Sequence, residues 1–134
     1  MRFQFRLRSV LELRQRERDR KQQSVADARA RLAKQITERD RLHDLRSAVI
    51  EDLRVMKSGG PWHVDQTILL QHHADHLGAE FALAEAAIIK GQADLETSLT
   101  LLVAANRSVR ALEKLAERQF AEHQASLAKS AARG

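Results

Sequence analysis

Residues 74–116, ADHLGAEFALAEAAIIKGQADLETSLTLLVAANRSVRALEKLA, decide the fold because apolar or small residues recur in them at alternating steps of three and four. This spacing places the residues along one side of an α-helix, and a run of about six heptads predicts a coiled coil. We call this stripe the second seam, and it consists of Ala74, Leu77, Phe81, Ala84, Ile88, Gly91, Leu95, Ser98, Leu102, Ala105, Val109, Leu112 and Ala116. Its smallest members predict a close approach of another helix.

A more polar stripe precedes it, in which long basic side chains alternate with apolar ones. We call it the first seam, and it consists of Leu7, Leu11, Arg14, Arg18, Lys21, Val25, Ala28, Leu32, Gln35, Arg39, Leu42, Arg46, Val49, Leu53 and Met56. The aliphatic stems of Arg and Lys can cover apolar surface while their charged ends stay in water. The two seams are therefore complementary, which predicts that the two arms of the chain pair with each other.

The strongest helix break is KSGGP at residues 57–61. Each glycine lowers helix propensity by about 1 kcal/mol relative to alanine, and a proline disfavours helical geometry in the residue before it. Ser9 and Glu12 have the spacing of a capping box, and Asp65 is placed to cap the second helix. The sequence therefore predicts an all-α fold, a long two-helix antiparallel coiled-coil hairpin that forms a single domain over residues 1–134. Its elements are helix 1 at about 9–57, a turn at 58–64 and helix 2 at about 66–130.

The break also predicts how the arms pair. Folding back at residues 59–60 would bring Leu32 near Ile88 and Val25 near Leu95 within one chain. Pairing between two separate chains is the alternative that the periodicity leaves open.

Composition narrows the class of protein further. Cysteine is absent, and four Phe, one Trp and no Tyr provide few large side chains for a globular core. No disulfide framework or thiolate metal site can therefore form. Without an apolar run of membrane-spanning length or a secretory signal, the sequence predicts a soluble, cytosolic protein. A mitochondrial presequence is the alternative for the Arg-rich start, and Glu12 and Glu17 disfavour it.

Charge is distributed unevenly along the predicted hairpin. Residues 1–21 contain eight Lys or Arg against three acids, and residues 107–134 contain six against three, so the open end carries +8. The half next to the turn carries −3, because residues 62–106 have only Lys90 against six acids. A basic end predicts an acidic partner there. The alternative is that the charged surface only keeps the helices soluble.

The lead RFQFRLR alternates basic or polar residues with Phe3, Phe5 and Leu7 at a period of two. Alternation points successive side chains to opposite sides. We therefore expect the apolar residues to cover the open end and the arginines to face outward. The expected apolar contacts on the second arm are Val109, Leu112, Leu115 and Ala116, and the expected outward residues are Arg2, Arg6 and Arg8. A disordered basic tail is the alternative.

No set of residues predicts catalysis or a cofactor. His72 and His76 stand four residues apart on one helix face, a spacing that could hold Zn²⁺, with His73 beside them. Asp75 is the only carboxylate close by, so we predict no metal site. The sequence also contains no recognisable Ser-His-Asp arrangement or phosphate-binding glycine loop, and we predict a protein that is not an enzyme. Trp62 beside the turn could anchor a partner or cover the end of the hairpin.

Three segments in order resemble the FliJ family of flagellar export proteins. They are FQFRLRSVLELRQRERD at residues 3–19, the GG-x-x-x-VD pattern at 59–65 and NRSVRALEKLAERQ at 106–119. The resemblance covers nearly the full length. It implies a two-helix coiled coil similar to the stalk subunit of rotary ATPases, with a role in flagellum biogenesis, motility and chemotaxis.

The resemblance also implies partners. They are the hexameric flagellar export ATPase, a membrane protein of the export gate and the export chaperones, with no small-molecule substrate. The implied location is cytoplasmic, at the cytoplasmic face of the export apparatus in the inner membrane. Together with the charge pattern, it predicts an activator of the ATPase that binds through the open end. The residues expected to bind are Phe5, Leu7, Arg8, Leu11, Arg110, Lys114 and Arg118.

Three other functions fit the same pattern. An injectisome stalk would have the same architecture, and a generic coiled-coil scaffold would need only the seams. A nucleic-acid-binding coiled coil is favoured by the pI of about 10.2. It is disfavoured because the bases of the first arm alternate with acids and lack interleaved aromatic residues.

Overall fold

A computed structural model describes residues 4–59 and 64–134, which form two long helices. Helix α1 spans Arg8–Ser58 and helix α2 spans Val64–Arg133, and the described ranges contain no strand. The two helices make extensive contacts with each other. The all-α helical hairpin is confirmed. The predictions made for Arg2, Phe3, Gly60, Pro61 and Trp62 concern residues outside the described ranges.

The start of α1 is a tight turn of the backbone. The amide of Arg8 donates a hydrogen bond to the carbonyl of Phe5 at 3.1 Å, and the amide of Leu11 donates to the carbonyl of Leu7 at 2.9 Å. Because the carbonyl of Leu7 accepts the first helical hydrogen bond, Leu7 has the position of the N-cap. The period of two in this lead therefore does not produce a strand over residues 4–7.

Two predicted caps are wrong. Since α1 begins at Arg8, Ser9 lies inside the helix, and the carboxylate of Glu12 accepts a hydrogen bond from the Arg8 guanidinium at 3.3 Å. The second helix begins at Val64 and includes Asp65 in its first turn. There the carboxylate complements the positive end of the helix dipole.

The paired helices divide into two compact units. The terminal unit consists of Met1–Asp27 with Glu96–Gly134, and the turn unit consists of Ala28–Leu95. In each unit a segment of α1 packs against a segment of α2.

The core of the turn unit is built from both seams. Its buried cluster consists of Leu42, Val49, Leu53, Ala74 and Leu77, against which Leu70, Phe81 and Ala84 pack. The ring of His43 lies 5.9 Å from the ring of Phe81 between centroids, at an angle of 46°. Burial of these apolar groups is the main force that holds the two helices together.

Two glycines mark places where α2 comes close to α1. A Cβ added at Gly78 would lie 3.1–3.3 Å from the guanidinium of Arg46. A Cβ added at Gly91 would lie 3.3 Å from Leu32 Cδ1 and would overlap with Gln35 Oε1. The close approach predicted at Gly91 is confirmed. Gln35 Oε1 is buried there, with no hydrogen-bond partner in the described part of the chain.

The prediction centred the fold on residues 59–60. In the structure α1 continues to Ser58 and α2 begins at Val64. Leu32 lies beside position 91, one turn along α2 from its predicted neighbour Ile88. The proximity of Leu32 to Ile88 stays a prediction.

The terminal unit uses the same seams with fewer fully buried residues. Val25 is 4% exposed and Val109 is 2% exposed, and the other members of the second seam in this unit are half-buried. In the first seam, Leu11, Arg18 and Lys21 are half-buried. Leu7 and Arg14 are exposed here, as is Arg46 in the turn unit, so the first seam was predicted less well than the second.

Pairing within one chain has a direct test. Because the protein has no cysteine, the variant with Gln35→Cys and Gly91→Cys carries a single pair of thiols. We expect oxidation to join these thiols within the monomer, because Gln35 contacts the position of a Cβ at residue 91. Non-reducing electrophoresis measures the product. The control pair Gln35→Cys and Ile89→Cys should stay reduced, since Ile89 is 68% exposed. A disulfide-linked dimer as the main product would show that separate chains pair.

Candidate functional site

A basic stripe follows the α2 segment of the terminal unit. Arg110, Lys114 and Arg118 are spaced by four residues, which places them along one face of the helix. All three are exposed. The stripe can therefore meet a partner without any rearrangement of the helix.

Members of this stripe differ in how far their charge is neutralised. Arg110 Nη1 lies 3.6 Å from Glu113 Oε2 and 3.4 Å from Glu117 Oε1. Lys114 and Arg118 have no ion pair within 4 Å among residues 4–59 and 64–134. Exposed ion pairs contribute little to stability, although each reduces the charge offered to a partner. Lys114 and Arg118 are therefore the stronger candidates for binding.

Lys114 and Arg118 also share a shallow groove of about 240 Å³. Ala111 and Leu115 complete its lining, so apolar surface lies beside the two cations. A surface of this kind can combine electrostatic attraction with apolar contact. We call these four residues the basic groove.

The α1 part of the predicted site is less accessible. Phe5 and Leu11 are half-buried, and Arg8 is paired with Glu12 at 3.3 Å. Leu7 is 39% exposed, so it covers the end of the unit less than predicted. The structure places all seven predicted residues in the terminal unit.

Charge separates the two units clearly. The terminal unit contains fourteen Lys or Arg against eight acids, and the turn unit contains nine against ten. The basic excess of the chain therefore belongs to the terminal unit. An acidic partner is attracted to that unit first.

Comparison with known proteins decides the family. The model of the flagellar FliJ protein family matches residues 3–133, nearly the whole chain. The chain belongs to the FliJ family. The resemblance seen in the sequence is confirmed, and membership makes this FliJ-family protein a flagellar, export-associated component. No curated protein and no solved structure matches the chain.

His72, His73 and His76 of this FliJ-family protein are exposed on α2. His76 Nε2 lies 3.0 Å from Glu80 Oε1, and the side chains are 67% and 44% exposed. In the described part of the chain, no three His, Cys, Asp or Glu residues come together as metal ligands would. None of the described helices has an apolar stretch long enough to cross a membrane.

The sequence analysis missed the double pairing of Arg110. The sequence contained an indication of this pairing, because Glu113 and Glu117 follow Arg110 by three and seven residues and lie on the same side of the helix. Counting bases alone gave Arg110, Lys114 and Arg118 equal weight, whereas the geometry favours the last two.

Proposed function

We propose that this protein binds the hexameric flagellar export ATPase through its terminal unit and favours the assembled, active ring. It would act as an activator and supply no catalytic group itself. Membership of the FliJ family supports the flagellar export system as the setting. The sequence resemblance supports a stalk-like role in the ring.

The basic groove is the observation on which the proposal rests. Lys114 and Arg118 are exposed, with no carboxylate within 4 Å in residues 4–59 and 64–134, and Ala111 and Leu115 offer apolar contact beside them. Basic side chains speed encounter with an acidic surface, while apolar contacts slow dissociation. Arg110 contributes less, because Glu113 and Glu117 already neutralise it.

We extend the proposal to a membrane protein of the export gate and to the export chaperones. The resemblance to the family supports these partners, and we propose with them a location at the cytoplasmic face of the inner membrane. An injectisome stalk would require the same fold, so the identity of the ATPase distinguishes the two systems.

The proposal is tested by ATP hydrolysis of the purified cognate ring with and without this protein. We expect stimulation at low salt that weakens toward physiological salt and above, because charge attraction is screened. Duplex DNA titrated under the same conditions tests the rival function. Absence of stimulation together with salt-sensitive DNA binding would favour the nucleic-acid-binding coiled coil.

A further inference from the structure

A second groove lies in the turn unit, between the two helices. Its volume is about 330 Å³, and its base includes the side chains of Leu53 and Ala74. Both residues belong to the buried core cluster. Ile50, which is 46% exposed, lines the same groove. An apolar side chain of a partner could therefore reach core residues without unfolding of the hairpin.

The guanidinium of Arg46 lies close to Gly78 of α2. A Cβ added at residue 78 would lie 3.1 Å from Arg46 Nε and 3.2 Å from its Cζ, which is closer than an ordinary contact. Arg46 is nevertheless exposed, so its charge is accessible to a partner.

Two other charged residues of the groove, Arg54 and Asp75, already have hydrogen-bond partners. Arg54 donates two hydrogen bonds to Glu51, at 2.7 and 3.1 Å, and these bonds hold the pKa of Glu51 below its usual value. The pair is therefore ionised at neutral pH. Asp75 accepts a hydrogen bond from Gln71 at 3.0 Å.

Arg46 and Lys57 have no carboxylate within 4 Å among the residues that the structure describes. They lie on the same helix, about three turns or roughly 16 Å apart. Ile50 stands between them in sequence, beside the apolar base of the groove. The lining thus presents cation, apolar surface and cation in order along α1.

We propose that this groove binds an acidic amphipathic helix of a protein partner. A leucine-sized side chain of that helix enters over Leu53 and Ala74, and carboxylates about three turns apart pair with Arg46 and Lys57. Helix-in-groove binding of this kind is a common mode of peptide recognition. The surface is separate from the proposed ATPase site, because it uses no residue of the terminal unit.

The test uses the full chain and a synthetic helical peptide about five turns long. The peptide carries two Glu residues about three turns apart, with Leu between them on the same face. We expect Arg46→Gln with Lys57→Gln to weaken its binding about tenfold or more, measured by fluorescence anisotropy. Arg29→Gln with Arg31→Gln is the matched control, because these exposed residues lie on the same helix outside the groove. The control should bind as the wild type does.

Two control peptides separate the contribution of the carboxylates to binding from that of the leucine. Replacing Glu by Gln should reproduce the loss seen with the protein variant, and replacing Leu by Ala should also weaken binding. ATPase stimulation should be unchanged in the Arg46→Gln, Lys57→Gln variant. Equal binding by this variant and the wild type, or no binding by the wild type, would overturn the proposal. So would a groove-dependent preference for phosphatidylglycerol vesicles or duplex DNA over the peptide.

Discussion

The variant Lys114→Glu with Arg118→Glu is expected to lose stimulation of the flagellar export ATPase while keeping the helicity of the wild type. Both side chains are exposed and line the basic groove, so their reversal changes the surface and leaves the seams intact. An acidic ring surface that attracts the wild type would repel this variant, and like charges facing each other are costly. Steady-state ATP hydrolysis and circular dichroism measure the two quantities.

Two controls make this result specific to position. Arg54→Glu with Lys57→Glu changes net charge by the same amount in the turn unit and should retain most of the stimulation. Arg110→Gln should have a small effect, because the charge of Arg110 is already opposed by Glu113 and Glu117. Full stimulation by the Lys114→Glu, Arg118→Glu variant would disprove binding through the basic groove.

Gly91→Leu is expected to lower the free energy of unfolding by about 1–3 kcal/mol, the usual effect of overpacking. The sign is opposite to that of helix propensity, which favours Leu over Gly by somewhat less than 1 kcal/mol. Leu32 Cδ1 lies only 3.3 Å from the position of the first added carbon, and Gln35 occupies the remaining space. Steric overlap with α1 therefore outweighs the gain in the isolated helix.

Urea denaturation of three variants distinguishes overlap from other effects. Ala86→Leu adds a larger side chain at an exposed position of the same helix and should change stability by about 0.5 kcal/mol or less. Combining Gly91→Leu with Gln35→Ala should restore part of the loss, because the amide no longer competes for the space. If Gly91→Leu is as stable as the wild type, α2 does not approach α1 closely at this point.

Periodicity predicted the second seam well because the apolar pattern of this seam repeats over many helical turns. All its residues from Ala74 to Ala116 are buried or half-buried. The cap at Ser9 and Glu12 failed because it depends on four residues, and the helix can begin two residues earlier, with Phe5 and Leu7 accepting hydrogen bonds from backbone amides. A pattern that repeats over many turns still predicts the buried face when single positions deviate from it. A motif of four residues fails when one of them takes a different role.

The two grooves differ in how far the sequence predicts them. The stripe of Arg110, Lys114 and Arg118 was visible from spacing, but neutralisation of the first depends on side-chain conformation. The groove at Arg46 requires residues of α2 to stand beside those of α1. Its composition therefore depends on the alignment of the two helices.

The two glycines of the turn unit have a consequence for how such a protein can change length during evolution. Each stands close to a long side chain of α1, since a Cβ would overlap with Gln35 at residue 91 and would lie 3.1–3.3 Å from the Arg46 guanidinium at residue 78. Adding or removing one heptad in a single arm would bring Ala84 or Ser98 opposite Gln35 and would likewise move Gly78 away from its arginine. The close contacts of Gly91 with Gln35 and of Gly78 with Arg46 would both be lost. Insertions and deletions should therefore be tolerated at the connection between Ser58 and Val64, or as compensating changes in both arms, and rejected elsewhere in this unit.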